Sequence, residues 1–409
     1  MKTKIYKRDY YINKIRGFYK SDLIKVISGI RRCGKSCFLL SVMEDLEKCG
    51  VAEKDIIYLN LDKRGFTNIK TPEALESALN ARITDDNFKY IFIDEIQNVK
   101  GFEQVVNAFR EDGNFSIFIT GSNSYLLSGE LATKLTGRYI EIEMFPLNFR
   151  EFLEMKKFLG KSVDSNLSAE FNEYIRYGGF PKVLEFDRPD DKDLYVKGVI
   201  DQILGKDVVG HRIIKNKVVF DRVMTYVINN FGATTSLSSI AEYMDKHEKI
   251  SVKTETLNKY LDILEKAKII YKCPRFDIKS KKSLRGEQKY YLADLGIYFA
   301  RNVDARINYG PSLENIVYTY LSAKGYKISV GRIGKLECDF ITRTNDEYRY
   351  VQVAMTIMDP ATEEREYKPF TTIRDNYPKI LLTLDPLLQK RDGVVHKNIM
   401  DFIANDENI

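Results

Sequence analysis

The sequence predicts an α/β protein whose N-terminal part folds around a parallel sheet, followed by helical segments and a second α/β region. Short apolar runs alternate with helical stretches through residues 23–143, and this rhythm is typical of parallel strands crossed by helices. A glycine-rich loop at 29–36 joins the first strand to the first long helix. From Pro146 onward the pattern becomes mostly helical, and strands return at Ile269.

Length and composition limit the number of domains and the classes of protein that the sequence can represent. The 409 residues suffice for about two to four domains. The formal net charge of +6 permits nucleic-acid binding without requiring it. Five cysteines without a CxxC pair, beside three histidines, argue against a structural zinc site or a disulfide framework. The sequence shows no signal-peptide pattern and no run of 18 apolar residues, so we expect a cytoplasmic protein.

The first domain is expected to contain five strands with helices between them. Each expected strand is a short, mostly apolar run, and each expected helix has an apolar face. The strands are expected at 23–27, 55–61, 90–93, 116–120 and 139–143, and the helices at 37–47, 72–80 and 102–109.

The run GIRRCGKS at 29–36 matches the pattern Gly-x-x-x-x-Gly-Lys-Ser. Glycines let the backbone wrap a phosphate with its N–H groups pointing inward, and the following helix presents its positive end. Lys35 is expected to contact the β- and γ-phosphates and Ser36 to hold Mg²⁺. The sequence therefore predicts ATP and Mg²⁺ as cofactors. The expected nucleotide-binding residues are Gly29, Arg32, Cys33, Gly34, Lys35, Ser36 and Cys37.

Two carboxylates end the third strand in the run YIFIDE, 90–95. Asp94 is expected to complete the Mg²⁺ shell, and Glu95 to orient and deprotonate the attacking water. The alternative is a strand end that meets a solvated turn. Together with the loop upstream, this pair predicts an ATPase.

Two more polar positions are candidates for the same site. Asn123, with Ser122 as second choice, follows the fourth strand and is expected to sense the γ-phosphate; a polar cap on the strand is the alternative. Arg138 precedes the fifth strand and is expected to reach a nucleotide, in its own subunit or across a homo-oligomer. The alternative is a surface arginine.

The extra strand at 55–61, and a glutamate directly after the strand-end aspartate, resemble the AAA and RecA-type branch of P-loop NTPases. Nearly the whole chain resembles the bacterial and archaeal AAA-like ATPases that carry a C-terminal domain of unknown function. That resemblance implies ATP binding, a winged-helix segment and a nuclease-like C-terminal fold. The resembling runs are GIRRCGKS (29–36), FIDEIQNV (92–99), TGSNSYLLSGE (120–130), LTGRY (135–139), FPLNFREF (145–152), YGGFP (177–181) and ECDF (337–340).

The middle segment has helix-turn-helix proportions, with helices expected at 238–245 and 254–266. The loop 279–285 (KSKKSLR), between two expected strands, resembles a basic wing suited to phosphate contacts. DNA is thus the predicted partner, and a protein-interaction module with a solvated basic loop is the alternative. The side chains expected to face a nucleic acid are those of Thr254, Asn258, Lys259 and Lys266.

The last segment has the helix–strand–strand–strand order of PD-(D/E)xK nucleases. Glu314 lies on the helix and Asp339 in a strand, but Gln352 and Ala354 stand where that motif needs an acid and a lysine. Glu337 could compensate for the acid, and nothing visible replaces the lysine, for which Lys335 is the nearest candidate in sequence. We expect the fold without efficient cleavage.

The leading hypothesis is an ATP-hydrolysing switch or motor that acts on DNA. The alternatives are a nucleotide-gated scaffold that binds a protein partner and an ATP-dependent nuclease. The expected domains are an AAA-like ATPase domain at 1–145, a helical segment at 146–235, a winged-helix-like domain at 236–300 and a nuclease-like domain at 311–409.

Overall fold

The structure is a computed structural model that describes residues 4–121, 135, 137–205, 214–302, 306–344 and 347–409. The chain divides into two compact units, Met1–Met144 and Phe145–Ile409. Within the described ranges, no helix combines the length and the apolar composition needed to cross a membrane.

The N-terminal unit is a five-stranded sheet in the order β2-β3-β4-β1-β5, and every neighbouring pair is parallel. This confirms the predicted parallel α/β sheet. β1 and β3 are buried at every position, as expected for central strands of a parallel sheet. The elements are α1 (Asp9–Arg16), β1 (Ile24–Gly29), α2 (Lys35–Lys48), β2 (Ile56–Asn60), α3 (Pro72–Asn80), β3 (Lys89–Asp94), α4 (Phe102–Glu111), β4 (Phe115–Thr120) and β5 (Tyr139–Met144).

The C-terminal unit begins with helices. Several of them start with a side-chain cap, such as Asn148, which forms a reciprocal capping box with Glu151. Its helices are α5 (Phe149–Phe158), α6 (Leu167–Tyr177), α7 (Pro189–Gln202), α8 (Lys217–Asn229), α9 (Leu237–Glu248), α10 (Thr254–Lys266), α11 (Gly296–Arg301), α12 (Tyr309–Ala323), α13 (Pro360–Thr372) and α14 (Ile399–Ala404).

A nine-stranded mixed sheet runs through the same unit, in the order β13-β14-β12-β11-β10-β9-β7-β8-β6. The parallel pairing of β7 with β9 joins the hairpin of the middle segment to the strands of the last segment. The regions expected at 236–300 and 311–409 therefore share one sheet, while their boundaries as domains stay a prediction. The strands are β6 (Thr234–Thr235), β7 (Ile270–Asp277), β8 (Lys282–Leu292), β9 (Lys327–Ile333), β10 (Leu336–Thr344), β11 (Glu347–Val353), β12 (Lys379–Thr383), β13 (Lys390–Arg391) and β14 (Val394–Asn398).

The predicted basic loop at 279–285 is wrong in its extent. β7 continues to Asp277 and β8 begins at Lys282, so that only a short turn separates the two strands. The Asp277 carboxylate closes this turn by accepting from the Ser280 N–H at 2.7 Å. The charged residues here suggested a loop, but strands on a solvated hairpin are held by backbone hydrogen bonds and need no apolar side chains.

The run YGGFP has a structural role at the end of α6. The buried Asp294 carboxylate accepts from the backbone N–H groups of Gly179, at 2.6 Å, and of Gly296, at 2.8 Å. Gly178 has φ 76° and ψ −168°, a conformation that is essentially confined to glycine. A Cβ at Gly178 would lie 1.7 Å from Asp294 Oδ1, so both the backbone and the contact require glycine.

Replacing Gly178 by alanine is expected to destabilise the C-terminal unit by about 2–5 kcal/mol, because backbone strain and the clash with Asp294 add. Denaturant unfolding measures this loss. Gly160→Ala is the matched control, since Gly160 also has a positive φ of 73° but a Cβ added there would meet no atom within 4 Å. Equal losses for the two variants would show that the Asp294 contact contributes nothing.

Candidate functional site

The glycine-rich loop follows β1 and closes on the start of α2. Gly34 caps α2 in a left-handed conformation (φ 109°, ψ 16°), and Arg32 also has a positive φ of 70°. The Lys35 ammonium donates to the carbonyl oxygens of Gly29 and Ile30, at 2.8 and 3.3 Å. The ammonium therefore lies over the loop, beside the N-terminal end of a 14-residue helix, where the helix dipole attracts anions.

Packing explains the other predicted loop positions. At Gly29 (φ 135°) a Cβ would lie 2.1 Å from the Met144 carbonyl oxygen at the end of β5, so only glycine fits. Cys33 is fully buried. Ser36 is partly exposed and Cys37 exposed on the first turn of α2. Ser36 thus has partial access to solvent at the start of α2.

Asp94 ends β3, and hydrogen bonds hold both oxygens of its carboxylate. Oδ2 accepts from Asn60 Nδ2 at 2.9 Å and from the Tyr58 hydroxyl at 3.3 Å, and Oδ1 accepts from the Thr120 hydroxyl. Burial raises the pKa of Tyr58 to about 12, so this hydroxyl keeps its proton at neutral pH. The carboxylate is therefore fixed in position and orientation at the edge of the sheet.

Glu95 follows in a left-handed conformation (φ 58°, ψ 47°), which is uncommon for a residue with a side chain. Its N–H donates to Thr120 Oγ1 at 3.1 Å, and its carboxylate accepts from the Gln97 amide. Such strained backbone persists only where the surroundings hold it, and it is frequent at functional sites. The Thr120 hydroxyl thus contacts both acidic residues, because it donates to the Asp94 carboxylate and accepts from the Glu95 N–H.

Strand order brings the loop and the two acids to one edge of the sheet. Because all strands are parallel, the carboxyl ends of β1, β3 and β4 lie at the same edge. β4 alone separates β1 from β3, which places these two strand ends roughly 10 Å apart. In the strand order, β2 lies on one side of β1 and β5 lies on the other, so the direction in which strands are added reverses at β1. Ligands of open α/β sheets bind at the carboxyl ends of the strands where this reversal occurs.

Three polar residues of this edge were not among the predicted site residues: Tyr58, Asn60 and Thr120. A signal was available for two of them. Asn60 and Thr120 end apolar strands of the same parallel sheet as Asp94 does, so strand polarity alone predicts that they meet.

The N-terminal segment braces the loop and its helix. Arg16 donates to both oxygens of Asp45 on α2, at 3.1 and 2.9 Å, and the Tyr19 hydroxyl donates to the same carboxylate at 2.9 Å. The hydrogen bond from Arg16 lowers the pKa of Asp45. Arg8, which is buried, donates to the Cys33 carbonyl oxygen within the loop at 3.4 Å. Sequence reasoning had also missed these contacts, which give no local pattern.

Arg138 is not part of this edge, so the predicted contact with a nucleotide of its own subunit is wrong. It precedes β5, and its carbonyl oxygen accepts from the N–H of Ile24 at the start of β1. This is the amino-terminal edge of the sheet, roughly 20 Å from the loop at about 3.3 Å per strand residue. Its guanidinium lies 3.6 Å from Glu111. A contact with a neighbouring subunit stays a prediction, and Asn123 and Ser122 lie outside the described residues.

A second polar cluster lies in the C-terminal unit. The Lys289 ammonium of β8 lies 2.9 Å from Glu314 Oε2 on α12 and 2.9 Å from Glu337 Oε1 on β10. The other oxygen of Glu337 accepts from Arg275 at 2.9 Å, and Glu314 also accepts from the Tyr291 hydroxyl at 2.9 Å. The sequence showed no residue in place of the motif's lysine, but the structure brings Lys289 into this cluster, from a different element than the exposed Lys335.

Asp339 and Gln352 lie next to these residues. Gln352 Oε1 accepts from the Asp339 N–H at 2.8 Å, while Gln352 Nε2 donates to Glu366 at 2.8 Å. Asp339 Oδ2 accepts from the Val353 N–H at 2.8 Å. An amide can donate and accept at once, so Gln352 suits a place between an N–H group and a carboxylate where an ionised acid would repel Glu366.

Burial and charge act against each other in this cluster. Burial raises the pKa of Asp339 well above its usual value, and the charge of Glu314 raises it further. For Lys289, burial lowers the pKa, but the charges of Glu314, Asp339 and Glu337 outweigh it and raise the pKa.

A cavity of about 530 Å³ opens beside the cluster, and its walls include Glu314, Asp339 and Gln352. The predicted residues of the C-terminal site are thus brought together.

The predicted nucleic-acid surface is exposed in part. Thr254, Asn258 and Lys259 on α10 are exposed, whereas Lys266 is partly buried and pairs with Asp262 at 2.9 Å. At the hairpin tip the side chains of Lys279, Lys281 and Lys282 are exposed. Arg275, just before the tip, instead belongs to the polar cluster.

Known proteins resemble this chain over most of its length. A model of an AAA domain matches residues 21–153, and a model of a domain of unknown function (DUF8612) matches residues 168–306. An uncharacterized protein of Haemophilus influenzae is 37% identical over 387 residues, which are 94% of each chain. An uncharacterized protein of Methanocaldococcus jannaschii is 32% identical, over 90% of this chain and 81% of its own.

Among solved structures, the Walker-type ATPase of Pyrococcus abyssi is similar with a TM-score of 0.52 and 17% identity, over 72% of this chain and 95% of its own. At that identity the similarity is one of fold, and it agrees with a P-loop ATPase architecture. The chain belongs to the family of the Haemophilus and Methanocaldococcus proteins, with an AAA-type ATPase domain at residues 21–153.

Proposed function

We propose that this protein hydrolyses ATP to drive a conformational switch that acts on DNA through its C-terminal unit. The observation that carries the ATPase part is the shared sheet edge, where a phosphate-type loop with Lys35 faces a fixed Asp94 and a strained Glu95 across one strand.

In this proposal each residue of the edge has a separate role. The loop N–H groups and the Lys35 ammonium bind the β- and γ-phosphates. Ser36 and Asp94 supply oxygen ligands that suit Mg²⁺, which neutralises phosphate charge when it is bound. Glu95, a partly exposed carboxylate one residue further on, orients the attacking water and takes its proton.

DNA is the favoured partner because of the exposed features of the middle segment. The order α8, β6, α9, α10, β7, β8, with β6 paired to β8, supports a winged-helix interpretation of residues 217–292. One exposed helix, α10, and one exposed basic hairpin tip then provide the two parts that such modules set against a duplex. The scaffold alternative predicts no DNA affinity, and the nuclease alternative predicts cleavage.

Replacing Lys279, Lys281 and Lys282 together by glutamine is expected to weaken duplex DNA binding and flatten its salt dependence. Each lost phosphate contact removes roughly 0.9 from the slope of log K against log salt. The variant should also lose stimulation of ATP hydrolysis by DNA. Fluorescence anisotropy over a salt series and a phosphate-release assay measure the two effects.

The matched control removes the same number of lysine charges, three, elsewhere in the C-terminal unit. Lys157, Lys182 and Lys197 are exposed lysines on or beside α5 and α7, and their triple glutamine variant should bind DNA like wild type. If wild type itself shows no DNA affinity at low salt and no stimulation, the DNA part of the proposal fails and the scaffold function takes its place.

A further inference from the structure

A nuclease-like C-terminal fold implies a divalent cation bound by Glu314 and Asp339, but the residues of this chain do not fit one. Among the described residues, no group of three or more His, Cys, Asp or Glu side chains is arranged to hold a metal ion. The reason is visible in the contacts, because a lysine and an arginine already engage the carboxylates that a cation would need.

We infer that the Lys289 ammonium is the resident cation of this cluster and takes the place of a divalent metal ion. Its Nζ is equidistant, at 2.9 Å, from one oxygen of Glu314 and one of Glu337. These two acids come from different elements, α12 and β10, as the ligands of a bound metal commonly do. Lys289 is only 5% exposed, so its ammonium is largely shielded from water.

Cations of the chain itself match three carboxylates of the cluster. Glu314 and Glu337 are matched by Lys289 and Arg275, and Arg365 pairs with Glu366 at 2.8 Å. The fourth carboxylate, Asp339, accepts from the Val353 N–H. A divalent cation entering here would meet a buried ammonium at short range, where like charges repel strongly. Displacing Lys289 would leave its charge without partners in a buried place, which is costly.

Two further oxygen atoms that could bind a metal accept hydrogen bonds instead. Asp339 Oδ2 accepts from the Val353 N–H and Gln352 Oε1 accepts from the Asp339 N–H, both at 2.8 Å. The cluster therefore joins the β7–β8 hairpin to α12 and β10 as an ionic lock. It binds no divalent cation and does not cut phosphodiesters, whatever the ATPase edge of the other unit does.

Manganese binding to the full chain without nucleotide tests this inference, with Mn²⁺ itself as the probe in electron paramagnetic resonance titrations. Wild type should show no Mn²⁺ binding that depends on Asp339. Lys289→Met, which keeps the length of the side chain and removes its charge, should raise the affinity for Mn²⁺ by at least about tenfold. Adding Asp339→Asn to that variant should abolish the gain.

Lys335→Met is the matched control, because Lys335 lines the same cavity but is exposed and outside the ionic cluster. It should gain no Mn²⁺ binding. Mn²⁺ binding or plasmid nicking by wild type that disappears in Asp339→Asn would overturn the inference, as would a folded Lys289→Met that gains nothing. If Lys289→Met does not fold, the comparison of wild type with Asp339→Asn decides alone.

Discussion

Lys35→Ala is expected to abolish measurable ATP hydrolysis and to weaken ATP binding by about 10- to 100-fold, the loss typical of a hydrogen bond to a charged group. In the structure the ammonium lies over the loop, held by the carbonyl oxygens of Gly29 and Ile30. It needs only a short movement to exchange these oxygens for those of a phosphate. A fluorescent ATP analogue and phosphate release measure binding and turnover.

Lys48→Ala serves as the control for Lys35→Ala. Lys48 is the exposed last residue of α2, the helix that Lys35 begins. Both changes remove one lysine charge from the same helix, but only one removes it from the loop. A folded Lys35→Ala protein with wild-type affinity and turnover would show that the nucleotide site lies elsewhere.

Local patterns predicted most of the N-terminal unit. The helix at 72–80 and the helix at 254–266 in the other unit have the predicted bounds, because a proline or a clear apolar period marks each of them. The loop and the acidic pair were recognisable because phosphate chemistry demands particular residues at a fixed spacing. Such features are local in sequence and need no knowledge of the fold.

Lys289 shows where local patterns stop being informative. It lies 25 positions before Glu314, on a strand predicted as part of a separate domain. The parallel pairing of β7 with β9 brings the hairpin beside the last segment, and such long-range strand pairing cannot be recognised from either strand alone. The nuclease motif would place a lysine where Ala354 stands in this chain, whereas Lys289 enters the cluster from another element, β8.

The own-subunit alternative for Arg138 could have been excluded from the sequence. Its strand was predicted correctly, and the strands were predicted to be parallel. A residue that precedes a parallel strand must lie at the edge opposite to a residue that follows one. Applied to Arg138 and Asp94, this rule predicts that the two residues lie at opposite edges of the sheet, a full strand length apart. The same rule would have found Asn60 and Thr120.

Glu95 combines two properties that a general base needs. Its carboxylate is partly exposed and so can meet a water molecule, while its backbone is held in a left-handed conformation by the Thr120 hydroxyl. Thr120 also fixes Asp94, so the two acids keep a constant relation. Glutamine at position 95 would preserve size and shape but could not accept a proton from water.

Glu95→Gln is therefore expected to bind ATP and Mg²⁺ like wild type and to hydrolyse ATP about 10²–10⁴-fold more slowly, the usual loss of a general base. Unchanged ATP binding distinguishes Glu95→Gln from Lys35→Ala, which should lose ATP affinity as well as hydrolysis. Single-turnover phosphate release measures the chemical step without product release, and Glu53→Gln, an exposed glutamate of the same unit, is the control. A wild-type single-turnover rate in Glu95→Gln would exclude Glu95 as the base.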